Sequence, residues 1–192
     1  LNLIVSTTQI NSNFKKNFEV CDDFIDEIND DKDGISTFDF STVTTDIEAL
    51  LPSPSSNYII KFYANEADAL AETNSIPDPS NYRNTFPNQQ DIWVRVESNL
   101  DNACFGLGAY VTLQVNPKPN IDINESQNAN QLVCSNLPSF FVKLDAGIIG
   151  NTPASNYNYV WSKDGNIIPN ETNETLDVNE EGDYTVVVST PK

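Results

Sequence analysis

Short segments in which apolar and polar residues alternate recur along the whole chain, and this period-2 patterning limits the fold more than any other feature. The clearest are 57–64 (NYIIKFYA), 91–98 (DIWVRVES), 109–115 (AYVTLQV), 139–144 (SFFVKL), 157–162 (YNYVWS) and 183–189 (DYTVVVS). Clusters of Pro, Asn, Asp, Ser and Gly separate them, as chain reversals require, so each reads as a half-buried strand. Two short helical stretches interrupt the pattern. One is 45–51 (TDIEALL), stopped by Pro52; the other is 66–72 (EADALAE), with Asn65 placed as N-cap and Asp68 three residues on. Both are too short to be more than decorations on a sheet. The fold class is all-β, as tandem β-sandwich modules, the first with two short helical insertions.

The pentapeptide NPKPN at 116–120 ends a strand and sets two prolines in a polar stretch, which makes a stiff linker. It divides the chain into a first module, 1–117, and a second, 118–192. LNLIV at 1–5 reads like VTLQV at 111–115, and each is followed by a polar stretch and then a cysteine, Cys21 or Cys134. That spacing is the mark of an array. Residues 1–10 then serve as the last strand of a preceding module. In the second module a strand and return strand flank a tight turn at Asp164-Gly165, and LDV (176–178) and EEGDYTVVV (180–188) follow. A sandwich needs one more strand after Val188, so this module is expected to be cut before its last strand.

Composition narrows the function. The chain holds 28 acidic and 10 basic residues, a formal charge of −18, and that field repels phosphate backbones and anionic lipid surfaces. Nucleic acid is therefore not an expected partner. No stretch approaches the roughly 20 apolar residues of a membrane span, so direct membrane insertion is not expected either. There is no His, which removes the commonest general base, the Ser-His and Cys-His nucleophile pairs and most transition-metal sites. There is no Met, so Leu1 is not expected to be a translation start. The first residues lack a basic start and a cleavage site, and any secretion signal would lie upstream. Carboxylates are plentiful but gathered in a turn-rich loop rather than set across a cleft, and no phosphate loop or G-x-S-x-G stands beside them. The chain is not expected to be an enzyme.

Three cysteines leave one without a partner. Cys21 precedes the body of the first module and Cys104 precedes its last strand. Pairing them would close the module and constrain the unfolded chain by about 4 kcal/mol. Three buried thiols are the alternative. The pairing carries an oxidising, extracellular compartment with it.

The phrases EVCDDFIDEINDDKDGISTFDF (19–40), FYANEADALAETNSIPDPSNYRN (62–84) and IWVRVESNLDNACFGLGAYVTLQVNPKP (92–119) carry a resemblance, as do LDAGIIGN, YNYVWSKDGNII and LDVNEEGDYTVVV further on. Together they resemble the tandem repeats of very large surface proteins of gliding and environmental Bacteroidota. Such proteins are exported by the type IX secretion route and often end in a gliding-motility-associated sorting domain, which is absent from these residues. The resemblance implies Cys21 paired with Cys104, neighbouring repeats of one long chain as partners, and an outer cell-surface location. The second module is similar to an Ig-like or PKD-like sandwich. Trp161 and the run Glu180-x-Gly182-x-Tyr184 match that fold's core tryptophan and tyrosine corner, and Val186 stands where an antibody domain has its second cysteine.

Between residues 19 and 33 eight acids (Glu19, Asp22, Asp23, Asp26, Glu27, Asp30, Asp31, Asp33) face one base, Lys32. Within them Asn29-x-Asp31-x-Asp33-Gly34 has the spacing of a calcium loop, with the Ile35 carbonyl as a further oxygen and Asp26 or Asp39 to complete the sphere. The twelfth position is Phe40, so this is not an EF-hand. Oxygen donors without His favour Ca²⁺. The bland alternative is a solvated acidic loop. Trp93 lies on the strand face opposite Ile92 and Val94, beside Arg95. It reads as packed over the second sheet or under the helix at 66–72, with Arg95 on its ring, or else, with Tyr82, as a stacking platform for a sugar. The function expected is a non-catalytic spacer repeat of a secreted or surface-anchored bacterial adhesin or filament, stiffened by Ca²⁺. The alternative is a carbohydrate-binding module that recognises surface glycans.

Overall fold

A computed structural model describes residues 10–25, 32–100, 103–122, 132–133 and 139–191. The chain divides into two compact units, Leu1–Pro117 and Lys118–Lys192. Both are β-rich, and the described helices are two short ones in the first unit. No described helix is long and apolar enough to cross a membrane.

The first unit contains β1 (Lys16–Cys21), β2 (Thr37–Phe38), α1 (Thr42–Glu48), β3 (Tyr58–Tyr63), α2 (Glu66–Ala71), β4 (Tyr82–Arg83), β5 (Gln89–Ser98) and β6 (Cys104–Asn116). Four strands form one sheet in the order β1-β6-β5-β3, while β2 and β4 form a separate two-stranded ladder. The β3–β5 and β5–β6 pairs are antiparallel, and β1 lies parallel to β6. One face of β5 is apolar at every second residue, as its period-2 sequence requires: Ile92, Val94 and Val96 are fully buried. They join Val111, Leu113 and Val115 of β6 and Phe62 of β3 in one cluster. Phe38, Phe40 and the α1 residues Val43 and Ile47 complete that cluster from β2, the loop after it and the helix.

Phe40 is the hub of this core. It is fully buried and meets Phe62, Tyr82 and Phe18 edge-on, at centroid distances of 5.3, 5.8 and 6.3 Å, the geometry that aromatic quadrupoles prefer. At Tyr110 the sheet departs from the simple alternation. Ile92 faces Val111 but Trp93 faces Ala109, so Tyr110 is the extra residue of a β-bulge. Its ring turns back over Gly108, where a Cβ would stand 2.9 Å from the ring and would push it aside. The second helix begins as its cap predicts, with Asn65 Oδ1 accepting the Asp68 N–H at 2.9 Å. The first begins at Thr42, earlier than its apolar spacing suggests, because the turn after Phe40 already carries helical bonds to Val43 and Thr44.

The second unit contains β7 (Val142–Asp145), β8 (Asn158–Lys163), β9 (Asn166–Ile167), β10 (Thr175–Val178) and β11 (Tyr184–Ser189). They form two small sheets, β10-β7 and β11-β8-β9, around a core of Ala146, Tyr159, Trp161, Leu176 and Val178. The buried Trp161 satisfies its one donor by bonding the Asn173 carbonyl at 2.8 Å, and the Tyr184 hydroxyl donates to the Glu180 carbonyl at 3.2 Å. Asp164 and Gly165 both take positive φ, +51° and +78°, which makes the tight β8–β9 turn.

The two units share a device that their sequences only hint at. Pro54-Ser55-Ser56-Asn57-Tyr58 and Pro153-Ala154-Ser155-Asn156-Tyr157 each form one 3-10 turn leading straight into a strand, β3 or β8. In both, the Asn N–H closes onto the Pro carbonyl, at 3.1 and 2.9 Å. Each of these strands then pairs antiparallel with a later one, β5 or β11.

Phe40→Ala should remove about 3–5 kcal/mol from the first unit, through lost transfer energy and the cavity left among three rings. Calorimetry of the variant should show that unit's transition lowered sharply; a shift of only a degree or two would mean the rings are not the core's centre.

Candidate functional site

Direction of travel along β6 fixes where the cysteines lie. Because β1 runs parallel to β6, Lys16 stands beside Val111 and Cys21 beside Asn116, the last residue of β6. Cys104 is the first residue of the same strand, opposite Glu97. Thirteen residues of extended chain span roughly 40 Å at about 3.3 Å each, whereas a disulfide holds its two Cα atoms within about 7 Å. No disulfide joins Cys21 to Cys104, and the closure of the first module expected from the sequence is corrected on this ground. The two thiols mark opposite poles of the unit. At one, the exposed Cys21 sits where the chain leaves β6 for the Pro117–Asn120 stretch. At the other, the Cys104 thiol lies 3.7 Å from the Gly106 carbonyl, and Gly106 abuts the side chain of Ile10 near the unit's incoming segment.

A polar network secures the Cys21 pole. Ser36 Oγ lies 3.0 Å from both the Cys21 carbonyl and Asp23 Oδ2. Arg83 Nη1 donates to both Asp23 oxygens, at 2.9 and 3.1 Å. Asn84, itself buried, accepts the Ser36 N–H at 2.7 Å and donates to the Gly34 and Phe86 carbonyls. Asp22 is 97 % buried; its Oδ2 accepts the Gly34 N–H at 2.8 Å, while its Oδ1 has no partner among the described residues. Gly34 takes φ +75°, and a Cβ there would lie 2.7 Å from the Asn88 nitrogen, so only glycine closes the loop. The network joins both ends of the acidic loop to the β4–β5 connection. Its partners stand far apart in sequence, and no local motif announces Arg83 or Asn84. Around it Phe24, Ile25 and Phe86 are exposed.

Of the calcium set, Asp26, Asn29 and Asp31 lie outside the described residues. Asp33 turns its Oδ1 to the Ile35 N–H at 2.8 Å. Asp39 is committed elsewhere, accepting the Ser41 N–H and hydroxyl at 3.0 and 2.7 Å at the start of α1. Among the described residues no group of three or more acids, His or Cys could hold a metal ion. Cys134 also lies outside the described residues.

Trp93 and Tyr82 are not brought together. The Tyr82 ring packs on Phe40 within the core and its hydroxyl meets Gln90. Trp93 is half-buried on the other face of the sheet, in register with the fully buried Tyr63. The Arg95 guanidinium bonds Glu97 and Glu72 and reaches the Ala69 carbonyl of α2. Those bonds tie it to α2, and the sequence expectation that it lies on the Trp93 ring is corrected. The cation–π contacts among the described residues are Lys16 over Phe14 and Lys163 over Tyr184.

Residues 17–119 match the family model of the Flavobacterium inter-domain disulphide bond domain, FIDD. The chain belongs to this family. No curated protein and no solved structure gives a match. The FIDD span opens inside β1 and closes just past β6, so it takes in both poles and both described cysteines. The FIDD domain's name refers to a bond between domains, and strand direction keeps Cys21 and Cys104 from bonding each other.

The α2 cap sets an acid limit. Hydrogen bonds from Asn74, then Asn65, hold the Asp68 carboxyl below its usual 3.8. A depressed carboxylate contributes stability that is present above 3.8 and lost as pH falls through the lowered folded value. Circular dichroism melts should therefore weaken below pH 4 for the native chain and less steeply for Asp68→Asn; identical profiles would mean the cap does not couple to folding.

Proposed function

We propose that this chain is a non-catalytic spacer segment of a large secreted or cell-surface bacterial protein, in which the FIDD domain is covalently tied to neighbouring domains through its two poles. The observation that carries this reading is the placement of Cys21 and Cys104 at opposite ends of β6, where neither reaches the other. A spacer under tension is served by such an arrangement, because a bond at each end passes force along the sheet rather than across its core. The Ig-like or PKD-like reading of the second unit fits the same role, supported by the buried Trp161 and the Tyr184–Glu180 corner. The resemblance to type IX-exported surface proteins supports an array outside the cell, as part of an adhesin or filament. Its charge of −18 keeps neighbouring arrays apart.

Ca²⁺ is proposed as a stiffener of the acidic loop beside the Cys21 pole. The support is chemical: an acid-rich loop of calcium-type spacing, and beside it a buried carboxylate oxygen, Asp22 Oδ1, that no donor among the described residues satisfies.

Two measurements test these readings. A non-reducing peptide map of native material should show Cys21 and Cys104 in separate cross-links, each joined to a peptide outside 17–119; a Cys21–Cys104 cross-link, or two unreacted thiols, would sink the proposal. For the loop, the melting temperature should be higher in Ca²⁺ than in chelator, and Asp31→Ala with Asp33→Ala should erase the difference. A melt insensitive to Ca²⁺ removes the cation from the account.

A further inference from the structure

The main sheet of the first unit ends in two edges, β3 and β1, which the chain treats differently. A bare row of N–H and C=O groups recruits another strand, so natural edges are covered, shortened or charged. On β3 the Phe62 carbonyl accepts the Ile76 N–H at 2.7 Å, and the connection after α2 covers that edge.

β1 has no such cover. The Asp22 N–H donates to the Asn116 carbonyl at 3.0 Å, on the β6 side. Backbone groups of successive strand residues point to opposite sides, so Lys16, Phe18 and Val20 also bond β6, while Asn17, Glu19 and Cys21 face away from it. Among the described residues the only bond to those outward groups comes at the strand's end, where Ser36 Oγ donates to the Cys21 carbonyl at 3.0 Å. Charge does not guard the row either. Glu19 turns its carboxylate to β6, where Asn116 Nδ2 donates to it at 3.4 Å, and Lys16 is drawn to Asp46 of α1 at 2.8 Å. Ile10 abuts Gly106, near the far end of β6, so residues 10–15 approach β1 from the Cys104 pole and stop where the open row begins.

The open row leads to an exposed cysteine. Asn17, Glu19 and Cys21 share the exposed face of β1, while Phe18 and Val20 pack on the core. An added strand lies about 4.8 Å from its neighbour, inside the roughly 7 Å that a disulfide allows between Cα atoms. A segment laid along Asn17 and Glu19 thus brings a cysteine within bonding range of Cys21, a range that Cys104 does not reach.

We propose that the free edge of β1 is the docking strip for the partner of Cys21. The occupant is an extended segment of a neighbouring domain of the same polypeptide. It carries the cysteine, and its backbone bonds the outward N–H and C=O groups of Asn17 and Glu19. Such docking rests on the inter-domain cross-link proposed above and adds the conformation of its partner. Main-chain bonds set the register, and the disulfide makes it permanent. The S–S bond forms by thiol–disulfide exchange: one thiolate attacks an external disulfide, the second displaces it from the mixed disulfide, and two electrons and two protons leave on the thiols released. The segment carries no acid facing the strip, because Glu19 already stands there and like charges opposite one another repel.

The test uses the 192-residue chain with Cys134→Ser and Cys104→Ser, or Cys104→Ala should the hydroxyl unfold the unit, so that Cys21 is the one thiol left. Cys21 is joined by exchange to the peptide KTVTVCVTVTK and, in parallel, to KTPTPCPTPTK, whose prolines break strand pairing. Amide exchange is then followed residue by residue by NMR. The first peptide should slow the Asn17 and Glu19 amides by about tenfold or more, with Phe18 and Val20, already bonded to β6, little changed. The proline peptide should slow none of them. Equal exchange with both peptides overturns the docking strip. Asn17 and Glu19 amides already protected before coupling also overturn it, and assign the edge to another segment of this chain or, where light scattering shows a dimer, to a second copy. Because this cross-link is made in vitro, the result does not depend on the native peptide map, and the two readings can fail separately.

Discussion

The parallel pairing of β1 with β6 is the contact on which the rest of the first unit depends. It brings Phe18 and Val20 onto the core cluster and sets Cys21 at the end of the longest strand rather than its start. Cys21 and Cys104 therefore stand at the two ends of β6, and they label the two ends of a beam. A parallel pair needs a long crossover, and here the crossover is the whole of the unit between Cys21 and Cys104.

That crossover begins in a loop which the protein could not otherwise hold. Asp22, Asp23 and the acids after them repel one another, and the chain answers with one guanidinium, Arg83, and a set of neutral donors from Ser36, Thr37 and Gly34. Removing Asp22 from water with no partner for Oδ1 among the described residues is costly, and the Gly34 N–H on Oδ2 offsets part of that cost. The Cys21 carbonyl is held by the same Ser36 that touches Asp23. The exposed thiol thus stands on a base held by side-chain hydrogen bonds.

The second unit works on a simpler plan. Two small sheets enclose Trp161 and Tyr159, and each of those polar aromatics finds a backbone carbonyl for its donor. Its repeated Pro–Ser–Asn turn shows that the two units solve the entry into a central strand alike, although one has helices and the other has none described.

Period-2 alternation made β3, β5, β8 and β11 legible in the sequence, because a half-buried strand writes its buried face into every second residue. The α2 cap was legible for a similar reason: Asn65 and Asp68 are three residues apart and the bond between them is local. β1 was not, since KNFEVC is short and its charges mask the alternation of Phe18 and Val20. The bulge at Tyr110 was also hidden, because it arises from pairing with β5 and not from the strand itself. Cysteine pairing failed for a deeper reason. The sequence fixes how far apart Cys21 and Cys104 are along the chain, but the direction and register of β1 on β6 decide their distance in space. By itself, then, the sequence determined an acidic, His-free, all-β chain with turns and caps in their places, since those depend on neighbours a few residues away. Only the tertiary structure decided that β1 runs with β6, that Arg83 and Asn84 close the acidic loop, and that the two cysteines stand at opposite ends of β6. Those outcomes depend on contacts between residues dozens of positions apart, which no local pattern records.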